Sequence, residues 1–216
     1  LDYIKKKQLN KKEIVTINQY QRFIFVITPK KENNPHINAE NCRMLGDKLA
    51  SKLQDEKSAL IIDVKNNQTQ AMQIAEGIAL ANYTFTKHLT NRNPNKFTTI
   101  YLCKKSNVLD ISELQNIVNA VYLTKNLVNE PFSHLTAKDL AAAATKSGEK
   151  NNVKTTVLNK KKIQKLKMGG LLAVNKGSLD DPTFTIMEWK PKNAKNKQPI
   201  IFIGKGIVFD TGGLSL

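Results

Sequence analysis

Residues 199–216 read PIIFIGKGIVFDTGGLSL, and the reading of this stretch decides the reading of the chain. Ile200, Ile201, Phe202 and Ile203 form a β-branched and aromatic run that predicts a buried strand. Gly204, Lys205 and Gly206 follow where such a strand would end. A short extended run, Ile207, Val208 and Phe209, then leads to Asp210 and a Gly-Gly turn. Ligand sites of open α/β sheets gather at the carboxyl ends of strands, which is where Lys205 and Asp210 would converge. A surface lysine beside a turn aspartate is the plain alternative, and spacing alone does not separate the two.

Upstream, the pattern is one of alternating strands and helices. Residues 22–28 predict a buried strand, followed by the turn-rich PKKENNP. From Asn38 the apolar positions Cys42, Leu45, Leu49 and Leu53 recur at helical spacing. Residues 59–64 predict the next strand, 68–85 a helix rich in small residues, and 97–102 a further strand. This alternation is that of a parallel or mixed α/β sheet. A long helix then carries Ile111, Leu114, Ile117, Val118, Val121, Leu127 and Val128 on a helical stripe until Pro131 breaks it. A first domain is expected over residues 1–110, a linking helix and turn over 111–135, and a second domain from 136 to 216. The second opens with a helix over 136–145 capped by Thr136. Strands over 153–158, 184–189 and 200–203 follow, with a short helix over 160–168 between the first two.

Composition narrows the function classes. The chain has 216 residues, of which 40% are hydrophobic, enough to fill a core. No stretch approaches the roughly 20 apolar residues of a membrane span, and the opening LDYIKKKQLNKK carries charge where a signal peptide needs an apolar run. Cys42 and Cys103 lack C-x-x-C spacing, which points to a reduced, cytoplasmic setting. The formal charge of +16 invites a nucleic-acid reading, because basic residues gain affinity by releasing counterions from phosphates. Arginine, however, occurs only at Arg22, Arg43 and Arg92, so 34 − 3 = 31 of the basic residues are lysine. Arginine is the residue that forks onto phosphate and guanine, so any nucleic-acid binding is expected to be weak and independent of sequence.

Several catalytic signatures are absent: H-E-x-x-H, G-x-S-x-G and paired C-x-x-C. His36, His88 and His134 are too dispersed to suggest a local metal site. A phosphate loop fails as well, since Pro199 stands where its first glycine belongs and Gly206 follows the lysine. A lysine can ligate a metal only as a neutral amine. Bringing an ordinary lysine to that state at neutral pH costs about 4.6 kcal/mol, which a dication binding with about 10 to 16 kcal/mol can supply.

The segment I-G-K-G-I-V-F-D-T-G-G-L, residues 203–214, resembles the V-G-K-G-[IV]-x-F-D-[ST]-G-G-[IL] hallmark of the leucyl (cytosol) aminopeptidases. Weaker echoes are Ala75-Glu76-Gly77-Ile78-Ala79-Leu80, Leu127-Val128-Asn129-Glu130-Pro131, and Met168-Gly169-Gly170-Leu171-Leu172-Ala173-Val174. The resemblance runs over residues 20–216. It implies an amino-terminal α/β sheet domain linked by a long helix to the start of an α/β peptidase domain. It also implies a two-metal hydrolase that removes amino-terminal, leucine-like residues from peptides, working as a cytoplasmic homohexamer. Two divalent ions (Mn, Zn or Mg) and a bicarbonate are its implied cofactors. Carried over by position, Lys205 binds one metal and Asp210 bridges both. The family's catalytic lysine and arginine, with the remaining carboxylate ligands, fall beyond Leu216. The chain is therefore expected to be a piece of a longer protein, inactive by itself and holding no catalytic residue of its own. Ser133 and Lys167 depart from the family pattern, which has asparagine and glycine at these places.

Overall fold

The computed structural model describes residues 13–62, 68–90, 97–103 and 108–209, and the chain is a mixed α/β protein. It divides into two compact units, Leu1–Asn126 and Leu127–Leu216.

In the first unit, strand β1 (Ile14–Asn18) pairs antiparallel with β2 (Phe23–Ile27), with Ile14 opposite Ile27 and Asn18 opposite Phe23. The β1 strand has no counterpart in the sequence reading. Helix α1 (Pro35–Leu53) starts where Asn34 accepts a hydrogen bond from the His36 amide at 2.8 Å, and Pro35 occupies the first helical position, where its missing amide costs nothing. The predicted stripe is the buried one: Cys42, Leu45, Leu49 and Leu53 all face inward. Burial pushes the Cys42 thiol up, partly offset by the neighbouring Arg43 charge. Strand β3 (Ser58–Ile62) runs parallel to β4 (Thr99–Cys103), with helix α2 (Gln68–Ala81) between them in sequence. The two helices cover one face of these strands. Cys42, Leu49, Leu53, Ile74, Ile78 and Phe97 form the core, and Ile14, Phe25, Ile27, Ala59, Ile61 and Ile100 pack onto it from the strands.

The meeting of α1 and α2 is backbone on backbone. A Cβ placed on Gly46 would lie 2.3 Å from the Ile74 carbonyl oxygen, and one on Gly77 would lie 2.1 Å from that of Arg43. Beside the crossing, the Arg43 Nε donates to Glu76 at 2.8 Å, and this bond holds the guanidinium still more firmly protonated.

Helix α3 (Val108–Asn129) is the expected long helix. Its Tyr122 hydroxyl donates to the Ala79 carbonyl, and its Lys125 Nζ donates to the Leu80 carbonyl at 3.3 Å while lying 5.0 Å from the Tyr83 ring centroid. A cation thus sits on a carbonyl of the last turn of α2, where the helix dipole favours positive charge. The Tyr83 and Tyr122 rings meet edge to face at 5.1 Å, and burial raises the Tyr122 phenol.

The second unit opens with a turn of 3-10 helix at Phe132–His134, then α4 (Ala137–Lys150). Thr136 and Asp139 form a capping box. Asp139 accepts from both the hydroxyl and the amide of Thr136, and these bonds lower its carboxyl. Strand β5 (Lys154–Leu158) pairs antiparallel with β6 (Phe184–Glu188), and α5 (Lys160–Lys165) and α6 (Gly169–Val174) lie between them. The helix predicted over 160–168 thus ends at Lys165, and α6 after it was not anticipated.

The reason for that stop is a left-handed residue. Lys167 has φ 54°, with its amide bonded to the Gln164 carbonyl and the Met168 amide to that of Ile163. These are the two bonds of a Schellman cap, whose left-handed position glycine fills without strain. Lys167→Gly is therefore expected to stabilise the second unit by about 1 kcal/mol. A urea midpoint that falls or stays fixed would contradict this account of the cap.

A correction concerns residues 200–203. The run predicted as a buried strand has no strand assigned to it, and Ile200 and Ile203 are 75% and 95% exposed. A strand needs a neighbour to take its alternating amides and carbonyls, and no described strand pairs with this run.

Candidate active site

Lys205 stands between two glycines in an extended, exposed segment that follows β6. The segment runs along the start of the second unit. The Phe209 ring lies 5.6 Å from that of Phe132, and a Cβ on Gly206 would touch only the Leu140 side chain, at 3.4 Å. A Cβ on Gly204 would meet nothing within 4 Å. Neither glycine is demanded by packing among the described residues. Their absent side chains leave the backbone on either side of Lys205 uncrowded.

Asp210, the second residue singled out in the sequence, lies outside the described residues. Of the two, the structure describes Lys205 alone, exposed in the segment that meets Phe132 through Phe209. Among the described residues no group of three or more His, Cys, Asp or Glu side chains is placed to hold a metal ion. Lys205 would be one donor of the set that the resemblance implies, and an amine nitrogen joined to carboxylate oxygens is a donor set that suits a divalent ion such as zinc. No described helix is long and apolar enough to cross a membrane.

A concavity elsewhere in the second unit had no signal in the sequence. It lies between α4, β5 and residues 181–183, and Asp181 sits on its rim. The Lys160 Nζ is 3.1 Å from that carboxylate and the Lys138 Nζ 3.8 Å, and the Lys160 bond is the main cause of its lowered pKa.

Residues 122–216 match the sequence model of the cytosol aminopeptidase family, catalytic domain. A probable cytosol aminopeptidase from Chlorobaculum parvum is 56% identical over 92 residues, covering 43% of this chain and 18% of that protein. One from Phytoplasma mali is 37% identical over 166 residues, covering 73% and 33%. One from Rhizobium etli is 36% identical over 183 residues, covering 79% and 36%. The chain therefore spans between about a fifth and about a third of the length of these curated relatives. Among solved structures, a mutant of tomato leucine aminopeptidase superposes with a TM-score of 0.71 at 17% identity, over 84% of this chain and 39% of that one. The bottromycin maturation enzyme BotP in complex with Mn gives 0.71 at 16% identity, over 88% and 42%. At such identities the likeness concerns the fold.

Proposed function

We propose, from the premise that residues 122–216 belong to the cytosol aminopeptidase family, that the protein is a metal-dependent aminopeptidase releasing leucine-like residues from the free amino termini of peptides. The observation that carries this reading is the segment 203–214, IGKGIVFDTGGL, inside the matched region. Lys205, through its amine nitrogen, and Asp210, through its carboxylate, would hold the divalent ions. Bound there, the ions would supply an activated water and polarise the scissile carbonyl. The chain's own part is to hold them. The glycines on either side of Lys205 add no side chain that would crowd a bound ion, and the Phe132–Phe209 contact seats their segment against the start of the second unit. Cytoplasmic work on peptide substrates as a homohexamer completes the reading.

The test uses the whole protein and leucine p-nitroanilide. Hydrolysis is expected to fall at least about a hundredfold on chelation and to return with Mn, while the N-acetylated substrate stays uncleaved. Turnover indifferent to chelation, or cleavage of the acetylated substrate at a similar rate, would overturn the proposal.

A further inference from the structure

The cavity between α4, β5 and residues 181–183 measures about 700 Å³, within the size range of small-molecule sites. Ala141, Ala142, Val157 and Pro182 give it an apolar floor of small side chains. Its rim is charged in two distinct parts. On one, Lys138 and Lys160 hold Asp181 between them, so these charges are already engaged. On the other, Lys146 and Glu149 both line the cavity, and neither makes an ion pair or side-chain hydrogen bond among the described residues. They lie three apart on α4, and residues so spaced are neighbours on a helix face.

The rim thus offers one cation and one anion side by side over an apolar floor. A simple anion would meet Glu149, and a simple cation would meet Lys146 with two further lysines nearby. The ligand that satisfies both is a zwitterion with an aliphatic body. We propose that this cavity binds a free α-amino acid with an aliphatic side chain. Its carboxylate lies on Lys146, its ammonium on Glu149, and its side chain on Ala141, Ala142 and Val157. The inference rests on the cavity rather than on the proposed reaction, although that reaction releases molecules of the same class. Both rim residues are exposed, so affinity in the millimolar range is expected.

The experiment titrates the isotope-labelled chain with L-leucine, isocaproate and isoamylamine while following backbone amide shifts by NMR. Isocaproate lacks the ammonium and isoamylamine lacks the carboxylate. Leucine is expected to give saturable shifts at Ala141, Ala142, Thr145 and Val157. Each analogue is expected to bind about tenfold more weakly, equivalent to about 1.4 kcal/mol. Glu149→Gln is expected to erase the preference for leucine over isocaproate, and Lys146→Gln that over isoamylamine. Both positions are on the helix surface, so these variants keep the fold. The proposal fails if leucine gives no saturable shift, if it binds no better than its analogues, or if neither substitution changes the preference. No turnover is measured, so this result and the aminopeptidase reading stand or fall separately.

Discussion

Gly77→Ala is expected to destabilise the first unit by about 3 kcal/mol or more, a large share of the roughly 5 to 15 kcal/mol that holds a typical domain folded. The added carbon would lie 2.1 Å from the Arg43 carbonyl oxygen and 2.9 Å from its Cα, so backbone and not a flexible side chain has to move. Moving it separates α1 from α2 along the seam that buries Cys42, Leu45, Leu49, Ile74 and Ile78. Gly170→Ala is the control: nothing lies within 4 Å of its added carbon, and within α6 alanine is the better helix former. Urea midpoints followed by circular dichroism are expected to fall sharply for the first variant and to hold or rise for the second. Equal midpoints for Gly77→Ala and the parent chain would mean that the helices do not touch in this way.

The second large effect concerns the whole protein and the difference between an amine ligand and a positive charge. Lys205→Arg keeps the charge and removes the lone pair, because a guanidinium does not give up its proton in proteins. If Lys205 ligates a metal, arginine loses that ligand and sets a cation against the dications. Arginine is therefore expected to be at least as damaging as alanine, with kcat/KM down at least about a hundredfold and bound metal reduced in both. Were Lys205 instead a clamp for a substrate carboxylate, arginine would keep much of the activity and all of the metal. Elemental analysis alongside kcat/KM decides the matter, and a Lys205→Arg protein with full metal and near-parental turnover would remove the ligand role.

How much of this was legible in the residues depends on how local each cause is. The α1 stripe of Cys42, Leu45, Leu49 and Leu53 was readable because the helical period repeats within one segment and buries one face. Thr136 was readable as a cap because its partner Asp139 is three residues away. Residues 200–203 show the converse: four apolar side chains announce a strand, but pairing is a property of two segments, and no described strand meets this one. The β1 strand was hidden for a related reason. Its turn places Tyr20, fully exposed, at φ 61°, a conformation that a bulky residue does not advertise. Lys205 stands out in the sequence by its unusual segment, whereas the cavity does not, since α4, Val157 and Pro182 come from separate stretches with no shared motif.

The parallel pairing of β3 with β4 places a demand on chain entropy that the neighbouring hairpin escapes. Asn18 meets Phe23 across a separation of five residues, whereas Ser58 meets Thr99 across 41. Loop closure grows with the logarithm of that separation, so the parallel pair gives up about 2 kcal/mol more chain freedom than the hairpin before either gains a partner. Five residues per strand do not offset this by themselves. The offset comes from Ala59, Ile61 and Ile100, which reach the helical core. The hairpin's pairing is local, whereas the parallel pair depends on the helical core that its own side chains reach.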